Sequence, residues 1–163
     1  MHITAGVITG AAYIFNCNNS GGCEYAQKLT SETSVDLDQF GHSVAINDEF
    51  IVVGAPQHDL DEVSNTGAAY IFERLEGTNE YEKVGDLFSP SPSISAQFGW
   101  SVAVNSNGII AVGAKGDRIA IGSVYIFKQA ESTWEHIFTL EPDVSPSFPN
   151  VGNAGWSVAI NDE

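Results

Sequence analysis

The sequence predicts an all-β protein built of propeller blades, each a sheet of four antiparallel strands, with about three blades in a partial propeller. Two observations carry this. Three sequence words recur in fixed order at a shared spacing. No stretch shows the 3.6-residue apolar period of a helix. The first word, Gly41-His42-Ser43-Val44-Ala45-Ile46-Asn47-Asp48-Glu49, returns 58 residues later from Gly99-Trp100-Ser101 and 56 after that from Gly155-Trp156-Ser157. The second runs Gly10 to Phe15, Gly67 to Phe72 and Gly122 to Phe127. The third leads from an aromatic residue to leucine: Tyr25 to Leu29, Tyr81 to Leu87, Trp134 to Leu140. Repetition on this scale marks a repeat architecture before any local motif is read.

Within one repeat the strands follow in order. The first covers Ser43 to Ile46 and ends at Asn47-Asp48, residue types that tolerate a tight left-handed turn. In the next copy that turn is Asn105-Ser106-Asn107-Gly108. The second strand is the apolar run Phe50 to Val53, or Ile109 to Val112, closed by Gly54-Ala55-Pro56 or Gly113-Ala114-Lys115. The Ala-Tyr-Ile-Phe word makes the third strand and the aromatic-to-leucine word the fourth, with a turn such as Glu76-Gly77-Thr78-Asn79 between them. Small residues in the first strand suit the crowded axis of a propeller, and large aromatics suit its wider outer part. A β-sandwich has the strand count but does not require the repeat. The expected units are a partial blade at 1–39, complete blades at 40–97 and 98–153, and the first strand of a further blade at 154–163.

Phe40-Gly41 followed by Gly54-Ala55-Pro56, and Phe98-Gly99 followed by Gly113-Ala114-Lys115, resemble the FG-GAP repeat. The second copy departs only at Lys115, and the third, at Ala154-Gly155, lacks the phenylalanine. The chain is similar to the integrin α-subunit propeller, and closer still to bacterial and protist repeats of this type. The resemblance implies a seven-bladed extracellular propeller that binds or adheres and has no catalysis of its own. It would also imply a calcium loop between the first two strands. Here that hairpin, Asn47-Asp48-Glu49 or Asn105-Ser106-Asn107-Gly108, is too short and too poor in carboxylates for the six to eight oxygens calcium takes. No cofactor is required on this reading.

Composition narrows the partners. The 163 residues carry 6 Lys+Arg against 21 Asp+Glu, a formal net charge of −15. Nucleic acids and anionic membranes are bound largely through basic residues, so neither fits. No apolar run is long enough to span a membrane, and Met1-His2-Ile3-Thr4 does not open as a signal peptide. Cys17 and Cys23 bracket a loop of turn formers. They read either as a hairpin disulfide, which implies an oxidising compartment, or as two free thiols. Asn18-Asn19-Ser20 fits the N-glycosylation pattern, a three-residue match that decides little.

For chemistry, Asp59, Asp61 and Glu62 form the best remaining metal candidate, set against a solvated acidic loop; Asp36 and Asp38 form a weaker one. Gly41-His42-Ser43-Val44-Ala45 is no nucleophile elbow, because its serine lies within a strand and recurs as Ser101 and Ser157 without the histidine. His2, His42, His58 and His136 share no spacing, and Lys115-Gly116-Asp117 resembles an adhesive tripeptide by drift. Trp100 and Trp156 stand at the position of His42 near a blade rim, where they either line a ligand surface or pack blade to blade.

The expected function is therefore a non-enzymatic extracellular or cell-surface binding or adhesion module for a protein or glycan. Its ligand residues are expected among His58, Asp59, Trp100, Asp117, Arg118 and Trp156. The loops at 56–66 and 114–121 would share one face with those at 31–39, 89–97 and 141–153. The alternative is the non-catalytic propeller portion of a secreted hydrolase or lipase-like enzyme. An arc of under three repeats would have unpaired edges, so further blades or self-association are expected.

Overall fold

The computed structural model describes residues 10–31, 37–131, 133–143 and 152–162. Among the described residues every regular element except one short turn is a strand. The strands are β1 (Ala12–Cys17), β2 (Cys23–Leu29), β3 (Ser43–Ile46), β4 (Phe50–Ala55), β5 (Ala68–Arg74), β6 (Tyr81–Leu87), β7 (Phe98–Val104), β8 (Ile109–Ala114), β9 (Ser123–Ala130) and β10 (Thr133–Leu140). They form two four-stranded antiparallel meanders, β3-β4-β5-β6 and β7-β8-β9-β10, and a β1-β2 hairpin. Asp117–Ala120 is a single turn rather than a helix, since Arg118 and Ile119 take left-handed φ values of 52° and 61°. Among the described residues no helix is long and apolar enough to cross a membrane.

Alternation along the central strands decides where the core sits. Phe50, Val52, Ala69 and Ile71 face the third sheet, while Ile51, Val53, Ala68, Tyr70 and Phe72 face the first. β4 and β5 are thus buried on both sides. The inner strands stack closely, β7 against β3 and β4. The outer strands diverge, and Trp134 of β10 fills the wedge between them, edge-on to Phe50 at 5.2 Å between ring centres. Gly85 of β6 makes room for that indole. Close packing inside and a filled wedge outside are the radial geometry of propeller blades.

Adjacent sheets are also clasped by repeated hydrogen bonds. Ser43 Oγ donates to Gly99 O at 2.8 Å, and Ser101 Oγ to Gly155 O at 2.8 Å. Asn47 Nδ2 donates to Asn105 O at 2.7 Å, and Asn105 Nδ2 to Asn161 O at 2.9 Å. At the outer edge Gln27 holds Tyr81, donating to its carbonyl at 2.7 Å and accepting from its N–H at 2.9 Å. The first-strand serine thus serves to tie each copy to the backbone of the next.

Two local expectations are corrected. Asn47 is not left-handed; its Oδ1 instead accepts from Glu49 N at 2.9 Å and Phe50 N at 2.6 Å, closing the hairpin from the side chain. In the next copy the left-handed residue is Gly108, with φ 69°. Gly54-Ala55 and Gly113-Ala114 do not close the second strand but extend it, pairing with Ala69-Ala68 and Val124-Ser123. Glycine is needed there because the backbone of Gly99 or Gly155 lies where a side chain at Gly54 or Gly113 would stand.

Tyr13 and Phe15 of β1 are each 57% exposed, whereas Tyr70 and Phe72, at the same repeat position, are 0% and 4% exposed. Val44 and Ile46 continue that uncovered apolar face. Cys17 and Cys23 pair in register at the tip of the β1-β2 hairpin and are joined by a disulfide.

Candidate functional site

Loops between second and third strands are bound by their backbones to the segment that enters their own sheet and, at Ser64 to Thr66, to the segment that enters the next. Gln57 N donates to Asp38 O, Ser95 N to Ser64 O, Gln97 N to Asn65 O, Phe98 N to Thr66 O, and Gly116 N to Ala96 O, all at 2.9–3.2 Å. These segments therefore share one face, the face on which the first strands begin. Residues 32–36 and 144–151 of the two other expected loops, with His2 and Asp36, lie outside the described residues.

At the inner rim of this face stand His42, Trp100 and Trp156, one from each successive copy. Their rings form a continuous row, with 4.3 Å between the centres of His42 and Trp100 and 5.4 Å between those of Trp100 and Trp156. Lys115, which directly follows β8, lays its ammonium over the row, 3.0 Å from the Trp100 ring centre and 4.5 Å from that of Trp156. An indole face attracts a cation through its quadrupole. In the preceding copy the same place holds Pro56, which is buried. Burial lowers the Lys115 pKa from its ordinary value. Burial, and secondarily the Lys115 charge, lower that of His42. His42 therefore holds a proton less readily than an ordinary imidazole. In a histidine NMR titration, Lys115→Met is expected to move the midpoint upward; an unmoved midpoint would show that the two charges do not communicate.

Beside each ring residue the backbone repeats a second feature. Gln39, Gln97 and Asn153 have left-handed φ values of 59°, 57° and 75°. Their carbonyls accept from His42 N, Trp100 N and Trp156 N at 3.0, 3.1 and 3.0 Å. An amide residue thus stands three positions before each ring residue, and its side chain makes no hydrogen bond among the described residues. The offset is visible in the sequence, where amides precede the glycine by two places in all three copies, but reading the rim residues singly misses it.

Other candidate residues are used differently. His58 Nδ1 lies 2.8 Å from Asp38 Oδ2, with both side chains largely buried, and its ring packs on Tyr70 and Phe88. In the next copy Asp117 is buried, accepting from Tyr125 Oη at 2.6 Å and Ser93 Oγ at 3.1 Å. Both ties bind one loop to its neighbour, which turns His58 and Asp117 inward. Arg118 is exposed and pairs with Glu141, beside Ile119, which is 91% exposed.

The metal reading does not assemble. Asp59 Oδ1 accepts from Asn65 N at 2.7 Å, and Leu60 and Val63 bond to each other, leaving Asp61 and Glu62 at the tip of a tight turn. Among the described residues no three His, Cys, Asp or Glu converge to hold an ion.

Burial and the hydrogen bond to Asp117 raise the Tyr125 pKa to about 12 from 10.0. A raised phenol pKa means the folded state keeps a proton that the unfolded state has lost between those values. The associated stability is present below pH 10 and disappears as pH rises towards 12. Two pKa units correspond to roughly 2–3 kcal/mol. Denaturation of the wild type should show this decline more steeply than Tyr125→Phe; parallel pH profiles would mean that the phenol is not linked to folding.

A family model described as the FG-GAP repeat matches residues 24–72 and 83–127, together more than half of the chain. No curated protein matches the chain. The first matched span runs from β2 to β5, so one sequence repeat joins the fourth strand of one sheet to three strands of the next.

Proposed function

Since the chain belongs to the FG-GAP repeat family, we propose that it is a non-enzymatic binding module whose ligand face is the loop rim bearing His42, Trp100 and Trp156. The observation that carries this reading is the ring row itself. Trp156 is 55% exposed while held against Trp100, so a large, preorganised apolar face meets solvent beside loops that are tied down. Rigid aromatic faces bind at little entropic cost. The ligand is a protein or a glycan. The disulfide at Cys17–Cys23 supports an extracellular or cell-surface location, where such bonds persist. No cofactor enters the reading.

The test is a glycan array together with a protein pull-down, run on the chain and on Trp156→Ala. Loss of a rim anchor should weaken any captured ligand by about 2 kcal/mol or more, roughly thirtyfold. If both screens stay blank, or if binding survives the substitution unchanged, the rim is not a ligand face.

A further inference from the structure

We propose that the rim binds an acidic sugar, a carboxylated pyranose whose ring lies on Trp156 and whose carboxylate meets Lys115 Nζ. This rests on the binding reading above and selects the ligand class within it.

The first observation is a cation without a counter-charge. The chain has 6 basic residues to 21 acidic ones, yet Lys115, like Lys28, Arg74 and Lys128, has no carboxylate partner among the described residues. The ion pairs there are His58–Asp38, Lys83–Asp86 and Arg118–Glu141. Lys115 lies on two indoles instead, and no hydrogen bond takes up its three N–H donors among the described residues. A π face compensates an ammonium only in part for lost water, worth about 0.5–2 kcal/mol. A carboxylate would complete it, and charge-assisted hydrogen bonds are the stronger kind.

The second observation is what surrounds that charge. Trp156 presents an exposed indole, whose electron-rich face suits the weakly positive C–H groups on one side of a pyranose. The third is the amide at each copy. Gln39, Gln97 and Asn153 sit beside the ring row, one per copy, and a carboxamide offers both donor and acceptor to sugar hydroxyls. Stacking surface, amides and one cation along a rim form the complement of a hydroxylated ring bearing a carboxylate. An acidic peptide would satisfy Lys115, and its backbone the amides, but glutamate side chains offer the exposed Trp156 indole no ring face of C–H groups.

The experiment is a panel of immobilised uronate and sialate oligosaccharides, each printed beside its neutral methyl ester, with polyglutamate peptides on the same surface. The intact chain and Lys115→Met are compared after their thermal midpoints are shown to agree. The expected result is capture by acidic glycans over their esters, with Lys115→Met losing roughly tenfold to a hundredfold in affinity for the acids and little for the esters. Equal capture of acids and esters, or an acid preference that survives Lys115→Met, overturns the acidic-sugar inference while the binding reading stands. Capture by polyglutamate without glycan capture also overturns it, in favour of an acidic peptide. Blank results here, in the glycan screen and in the protein pull-down overturn the inference together with the binding reading.

Discussion

Phe98→Ala is expected to destabilise the protein by about 3–5 kcal/mol, the usual cost of emptying a buried phenylalanine site. Phe98 is fully buried, 5.5 Å from the Tyr125 ring and 5.9 Å from that of Phe127 between centres. Its backbone also bridges to Gly67 of the preceding sheet. The side chain is therefore a wedge held by both sheets, and neighbouring strands cannot close the gap without breaking that bridge. Domains of this kind are stable by about 5–15 kcal/mol in all, so the loss would consume a large share. The denaturant midpoint measures it. The third copy has Ala154 in the same backbone bridge, to Gly122. A cost below about 1 kcal/mol would show that the wedge at Phe98 is equally dispensable.

The second large effect is expected at Gly99. Its φ of 85° is left-handed, and a Cβ there would overlap the Ala68 carbonyl oxygen. The left-handed conformation costs a non-glycine residue roughly 1–2 kcal/mol, and overpacking against fixed backbone adds about 1–3 kcal/mol. Gly99→Ala should therefore lose about 3 kcal/mol in denaturant unfolding. Gly77 separates the two causes, because its φ is 74° but nothing lies within 4 Å of where an added methyl group would stand. Gly77→Ala should carry the conformational cost alone. If both variants lose the same amount, the close approach of copies at Gly99 contributes nothing measurable.

Much of the architecture can be read from the repeated words, because strand, turn and blade all follow from residues that recur. Ser43, Ser101 and Ser157 announce a structural role by recurring where His42 does not. What occurs in one copy only is harder to read. Asp38 and His58 form a buried pair, yet the corresponding positions are Ala96 and Asp117, so no pattern links residues twenty apart. The Lys115 contact is also hidden. Its identity is evident as a departure from Gly-Ala-Pro, but its position over Trp100 and Trp156 depends on where the end of one strand meets the starts of two others. Asn47 falls in the expected turn with a different conformation, because its side chain rather than its backbone φ makes the turn.

The serine and asparagine clasps join each copy to the one immediately after it and to no other. Coupling that reaches only nearest neighbours makes unfolding a one-dimensional process, with the energy of a break set by the single junction at which it occurs. Amide hydrogen exchange should then be graded along the chain. The amides of β4, β5, β8 and β9, locked inside four-stranded sheets, should exchange last, while β1 and β2, whose Tyr13, Phe15 and Tyr25 side chains are more than half exposed, should exchange first. Cooperativity in this protein is thus a property of its junctions.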